Sequence, residues 1–420
     1  MGIMGVSSIT PAFPRIAQGL SLSSREIGLL LTVFTVPGIV LAPLLGFLAD
    51  RFGRKTILVP ALLLFGVTGA ACAVTQSFPM LLGLRFFQGA GAASLTSLSV
   101  TLLGDIYTGE DRERAVGYNA SALSIGTAAF PLAGGALAAL SWQYAFLLPL
   151  LALPVGALVL FRLRLPGSDG AGGTGAGRSG RAGAPRSSPL EQVMAVLRNA
   201  REQGIIRLSL LAVLVFVLLY GAFLSYVPFL LEGRFSASPP VVGAIMSSMS
   251  IATAITAAQR GRVSRRLSTR AALSIATGLY ALALVLFPIM PVIWLVPLAT
   301  LIYGAAQGLT IPTVQSQIAG RAPTELRAAT VAANAMAIRI GQTIGPVAGG
   351  AVFAAGGTAA VFWFGAVIPL FMLGTIWLGG SARTGAEDTG GASRGNTRTG
   401  SVCGGNTGRG SAGSPGAQSE

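Results

Sequence analysis

The chain has 420 residues, 52% of them apolar and only 10% charged, against about 25% charged in a soluble domain. It carries a net charge of +15, no histidine and two cysteines. Catalysis or metal ligation that needs imidazole is thereby excluded. Cys72, in an apolar run, and Cys403, in a polar stretch, make no disulfide framework.

No basic segment precedes the first apolar stretch, so nothing reads as a cleavable signal. That first stretch, Met1–Pro14, is shorter than the roughly 20 apolar residues that cross a bilayer. Five longer apolar runs follow at Ile27–Ala49, Thr56–Val74, Met80–Leu103, Ala115–Leu140 and Tyr144–Phe161. Six more follow at Ile205–Leu231, Val241–Ala258, Ala271–Ile289, Val292–Ile318, Ala328–Ala355 and Thr358–Leu378. Two segments are poor in apolar residues and rich in Gly, Ala, Ser and Arg, which predicts disorder. The sequence thus divides into a first half at 1–165, a partly disordered linker at 166–203, a second half at 204–379 and a disordered tail at 380–420.

With alternating loops, 24 of the 29 Lys and Arg fall on one face of the membrane, and only Arg15, Arg25 and Arg234 on the other. Two, Arg85 and Arg339, lie within spans. This asymmetry predicts a cytoplasmic linker and C-terminus. It also accounts for the net charge without nucleic acid.

The chain resembles itself at a shift of 215 residues. Ser21, Ser23 and Gly28 match Ser236, Ser238 and Gly243; Gly126, Pro131, Gly134 and Gly135 match Gly341, Pro346, Gly349 and Gly350. Gly46 and Leu48 before the basic loop Arg51–Lys55 correspond to Gly261 and Val263 before Arg265–Arg270, and Gln88-Gly89 matches Gln307-Gly308 at a shift of 219. A six-helix unit used twice, with a pathway between its copies, is the physical reading. Met1 then corresponds to Phe216, whereas the seventh run begins near Ile205. The first helix is accordingly expected to lack about ten residues at its cytoplasmic end. The alternatives are a start upstream of Met1 and a shortened helix.

The densest motif is Gly46-Phe47-Leu48-Ala49-Asp50-Arg51-Phe52-Gly53-Arg54-Lys55. Gly46 is expected to let two helices approach closely, Gly53 to allow a tight turn, and Asp50 to meet a guanidinium or a helix N-terminus at the membrane edge. The run resembles the loop between helices two and three of the major facilitator superfamily. That resemblance implies twelve transmembrane helices in two pseudo-symmetric halves, and a cytoplasmic latch formed by Asp50, Asp105 and Arg114. Arg265 stands where the second copy would carry its Asp. Leu84-Arg85-Phe86-Phe87-Gln88-Gly89 resembles the family's fourth-helix motif, whose Arg is tied to proton handling. Arg85 is expected about 9 Å into its helix at 1.5 Å per residue, a position costly enough to mark function. Gly126–Gly135 resembles the fifth-helix motif of the family's antiporters, with Phe130 where Gly is expected before Pro131. The eleventh helix carries the fuller form, Gly341, Gly345, Pro346 and Gly349, whose spacing presents a flat groove to a neighbour. The likeness covers residues 5–380 and points toward the drug:proton antiporter branch.

In such a fold the pathway candidates are Arg85 and Gln88, Tyr220 and Tyr226, Gln307, Gln315 and Gln317, and Asn334, Arg339 and Gln342. No acid lies near mid-membrane in these runs, which suits anionic, zwitterionic or neutral substrates better than cations. No phosphate-binding loop is present, and neither enzyme activity, cofactor nor metal is expected. The expected function is proton-coupled efflux of small organic molecules by a monomer in the inner (plasma) membrane. An importer or facilitator of a small anionic or neutral metabolite is the alternative, and a transport-inactive sensor or scaffold the third.

Overall fold

The computed structural model describes residues 2–163, 198–201 and 204–377. Of the partly disordered linker expected at 166–203, residues 198–201 are helical and 166–197, 202 and 203 fall outside the described residues, as does the 380–420 tail. Short helices α1 (Met4–Ser7) and α2 (Phe13–Gly19) flank a 3-10 turn. Then come α3 (Ser24–Phe52), α4 (Arg54–Val74), α5 (Phe78–Ala92), α6 (Leu95–Ile106), α7 (Gly109–Leu140) and α8 (Ala152–Arg162), the last preceded by a long 3-10 stretch. The second half holds α9 (Ile205–Leu218), α10 (Ser225–Phe235), α11 (Pro239–Ala258), α12 (Arg260–Arg266), α13 (Thr269–Ile289), α14 (Val296–Arg321) and α15 (Arg327–Trp377).

Among the described residues ten segments are long and apolar enough to cross a membrane. The last runs through α15, which breaks at Gly356 and Gly357, the latter with φ 72°. It is therefore two rods, and the eleven apolar runs are recovered. The N-terminal segment is short and buried: Met4, Ile9, Phe13 and Ile16 have no exposed surface. Among the described residues there are thus eleven long rods and this short segment rather than a counted twelve.

Local signals set the boundaries. Ser23 accepts from the Glu26 amide while the Glu26 carboxylate accepts from the Ser23 amide, a reciprocal cap on α3. Gly53, at φ 94°, joins α3 to α4 where a side chain would be strained. Leu219–Leu224 forms a π-helical turn between α9 and α10, a feature frequent at functional sites.

The repeat is visible in the backbone. Among the described residues, positive φ outside glycine occurs at Ser21 (52°) and Ser236 (49°), which are 215 apart. Two residues on, Ser23 and Ser238 are both extended N-caps, of α3 and α11. Two apolar cores result, one built from residues between 4 and 152, the other from residues between 200 and 372. Tyr220, Leu224 and Phe229 touch both.

The two cores meet along α3 against α15 and α7 against α11. The contact points are the repeated residues, crossed. A Cβ on Gly28 would lie 3.3 Å from the Pro346 carbonyl oxygen, and one on Gly243 would lie 2.3 Å from that of Pro131. Gly28 corresponds to Gly243 and Pro131 to Pro346, so these are two copies of one contact. Gly135 packs in the same way on the Pro239 carbonyl. Phe130, which stands where Gly is expected, turns its ring back over Gly126 and into its own core, leaving the Pro131 carbonyl free to meet Gly243.

Gly243→Ala should lower the midpoint of thermal unfolding in detergent, by the equivalent of about 1–3 kcal/mol of overpacking. Gly28→Ala should cost less, and Gly261→Ala, where a Cβ meets nothing within 4 Å, should be neutral or stabilising. Equal midpoints for all three would refute the crossing.

Candidate functional site: a buried arginine and a polar seam

Helix α5 carries Arg85 into the first core, where its side chain is completely buried. Nε donates to the Leu30 carbonyl at 3.4 Å, and Nη1 donates to the Gly5 carbonyl at 2.8 Å and to Gln88 Oε1 at 2.6 Å. The guanidinium carbon stands 4.3 Å from the centre of the Phe34 ring, a cation–π distance. All of these acceptors are neutral. Arg85 Nη2 and Gln88 Nε2 have no acceptor among the described residues. Gln88 Nε2 lies over Gly69, where any side chain would collide with it.

A second arginine approaches from the other half. Arg339 of α15 donates from Nη2 to the Ala93 carbonyl at 2.8 Å, at the break that separates α5 from α6. Its stem crosses Gly38 of α3, and a Cβ there would fall 2.1 Å from Nη1. One turn on, the Thr343 hydroxyl bonds back to the Arg339 carbonyl at 2.9 Å and meets the Thr35 hydroxyl at 2.9 Å. Thr32 donates to the Thr343 carbonyl at 3.2 Å. On the other interface Ser250 donates to the Thr127 carbonyl at 3.1 Å. Tyr220, on the π turn, packs against both apolar cores.

The other expected pathway residues are dispersed. Tyr226 is fully buried and stacks on Phe353 at 5.3 Å, in the second core. Gln307 accepts from the Tyr280 hydroxyl, also inside that core. Gln315 is exposed, Gln342 half-buried, and Asn334 buried with no partner for its Oδ1 among the described residues. Gln317 donates to Thr269 at 3.3 Å. Of these candidates, only Arg85, Gln88, Tyr220 and Arg339 gather into one neighbourhood. Phe34, Gly38, Thr35 and Thr343 complete it without having been expected. The signal for them was indirect, since Gly38 lies in a run of otherwise bulky residues and Thr343 sits four residues after an in-span arginine.

At the end of the bundle that bears the basic loops, Arg54 ties Asp50, at 3.7 Å, to Asp105, and donates to the Thr101 carbonyl at 2.5 Å. Lys55 donates to the Leu163 carbonyl at 2.9 Å, and Arg51 stays exposed. Arg114 was expected in this network. It pairs instead with Glu110 and Asp111 on its own helix, at 3.7 and 3.8 Å, because the i,i+3 and i,i+4 spacing places them closer than any cross-helix partner. Gly46 was expected at a close helix approach, yet a Cβ there would meet nothing within 4 Å. The close approaches lie elsewhere. Gly341, Gly345 and Gly349 rest on the Val213, Val217 and Gly221 carbonyls of the seventh span, around the π turn, and Gly134 rests on the Ser8 carbonyl. Gly126 faces only its own Phe130.

A family model described as the Major Facilitator Superfamily matches residues 1–235 and 230–404. The chain belongs to this superfamily of membrane transporters. It is 33% identical over 150 residues to the Bacillibactin exporter of Bacillus subtilis (strain 168), covering 34% of this chain and 37% of that protein. It is 28% identical over 143 residues to the quinolone resistance protein NorA of Staphylococcus aureus, again covering 34% and 37%. The matched stretch is thus about a third of these relatives' length. In fold, the chain is similar to a D-xylose–proton symporter, with a TM-score of 0.68, 16% identity and 90% and 95% of the two chains covered. The nucleoside transporter NupG gives 0.67, 14%, 89% and 97%. The family and the ten membrane-length segments make this chain a multi-pass membrane protein of that superfamily.

Arg85→Met should strip donors from two buried carbonyls and Gln88, lowering stability by about 2 kcal/mol or more. Arg85→Lys, which keeps one donor group, should lose less. Thermal unfolding of the purified variants checks this, and an unchanged midpoint in Arg85→Met would contradict the bonding described.

Proposed function

We propose that this transporter exports small organic molecules by alternating access, driven by the proton gradient, with the halves 1–165 and 204–379 rocking about the crossed contacts. The observation that carries the reading is the distribution of those contacts. Gly28–Pro346, Gly243–Pro131 and Gly135–Pro239 all lie toward the membrane edge marked by Glu26 and Glu232. The Gln18–Glu232 bond, at 2.9 Å, joins the halves at the same edge. Toward the basic end, positions such as Val40, Phe47, Tyr118 and Ile125 on the same helices are exposed. Halves joined at one edge and parted at the other suit one state of a rocking cycle. With the basic loops cytoplasmic, as their charge favours, this is a state closed to the outside of the plasma membrane.

Arg85, Gln88, Tyr220 and Arg339 form the polar group at which substrate or proton coupling would act, because charges at this depth are costly without a role. Export is supported by relatives whose names are those of exporters and resistance proteins. The protein is read as a monomer, needing only its substrate, protons and the bilayer. A second reading, an importer or facilitator of an anionic or neutral metabolite, is favoured by the neutral acceptors around Arg85, to which a substrate anion would add the missing charge.

Everted vesicles containing the protein should accumulate an amphipathic zwitterionic or neutral dye when acidified inside, and lose it on adding a protonophore. Arg339→Gln should slow this flux about tenfold, the effect of 1.4 kcal/mol on one step. Dye movement that runs down its own gradient, indifferent to the protonophore, would instead establish the facilitator.

A further inference from the structure

The loop that joins α11 to α13 differs from its counterpart in the first half in a way the transport cycle does not require. Residues 259–270 hold Arg260, Arg262, Arg265, Arg266 and Arg270 and no acidic residue. In the first half Arg54, at this level, is paired with both Asp50 and Asp105. At the 215-residue shift Asp50 becomes Arg265 and Arg54 becomes Thr269, which bonds the neutral Gln317. None of the five arginines forms an ion pair among the described residues, and Arg262, Arg265, Arg266 and Arg270 are exposed.

They are also arranged. Seven of these residues form the separate helix α12, wedged between two membrane spans. Arg262, Arg265 and Arg266 stand at i, i+3 and i+4, on one face of it. Val263 and Leu267 repeat at i, i+4 beside them, half-buried and exposed respectively. An amphipathic turn at the membrane boundary, with guanidiniums on one face and aliphatic side chains next to it, matches a phospholipid. The phosphate takes the forked donors, and the acyl region takes Val263 and Leu267.

We propose that α12 is a binding site for anionic phospholipid, with Arg262, Arg265 and Arg266 holding the headgroup phosphate. A loop that merely set topology would need the charges and not the common face. Guanidinium forks and ammonium groups differ in phosphate recognition while carrying the same charge, which separates the two roles.

The test uses the full chain purified in detergent and titrated with phosphatidylglycerol or phosphatidylcholine, with bound lipid counted by native mass spectrometry. The wild type should prefer phosphatidylglycerol by about tenfold or more, in keeping with several cations near one headgroup. R262Q/R265Q/R266Q should reduce the preference to about twofold or less. R262K/R265K/R266K, which keeps topology and charge, should fall between them. A triple glutamine variant that binds phosphatidylglycerol as the wild type does would overturn the site, as would a lysine variant equal to wild type. Inorganic phosphate at millimolar concentration should not displace the lipid; full displacement would make this a soluble-anion site and overturn the assignment to the membrane.

Discussion

The structure depends on two helix crossings at which a glycine of one half lies against the backbone carbonyl of a proline in the other. Lipid tails are as apolar as leucine, so helices in a bilayer gain little from hiding apolar surface and associate through close packing instead. Packing that close needs a missing Cβ, as at Gly28 and Gly243, and the facing prolines carry no amide hydrogen of their own. Because the sequence is a repeat, one such contact generates its mate by symmetry. The pair then defines an axis about which two rigid cores can tilt. Everything placed between the cores, including Tyr220, Arg339 and the Thr35–Thr343 pair, changes surroundings when they do.

The buried polar groups follow from the same economy of contact. Arg85 reaches backbone carbonyls of Gly5 and Leu30 in two different elements, so it fastens the N-terminal segment and α3 to α5 inside one core. Arg339 reaches the Ala93 carbonyl across the divide. One arginine therefore consolidates a half while the other spans the two. On this geometry Arg85 is tied to the stability of one half and Arg339 to the contact between the halves. The Ala93 carbonyl is available because the fourth span breaks there, and the π turn at Leu219–Leu224 gives Gly345 and Gly349 a surface to rest on.

Much of this was legible in the residues. Eleven apolar runs, the charge asymmetry and the Gly46–Lys55 loop led to the superfamily, and helix ends differ from the apolar runs mostly by a few polar residues that continue each helix past the membrane core. The 215-residue shift named Gly28, Pro131, Gly243 and Pro346 as equivalent. It did not say that they meet crosswise, because equivalence along a chain carries no information about which copy faces which. The surroundings of Arg85 were hidden for another reason: its acceptors are main-chain carbonyls, which every residue has. Arg114 pairs on its own helix here because Glu110 and Asp111, one turn away, lie within reach. Gln307 lies inside the second core because a polar tip on an apolar span can be satisfied there, by the Tyr280 hydroxyl, as readily as along a path.

The central claim is that transport requires the halves to tilt about the crossed interface. It is tested most directly by tethering α7 to α11 where Ser250 meets the Thr127 carbonyl. In a background with Cys72 and Cys403 replaced by alanine, Thr127→Cys and Ser250→Cys should cross-link on oxidation, and energised dye flux in vesicles should stop and return on reduction. Full flux through quantitatively cross-linked protein would contradict the account.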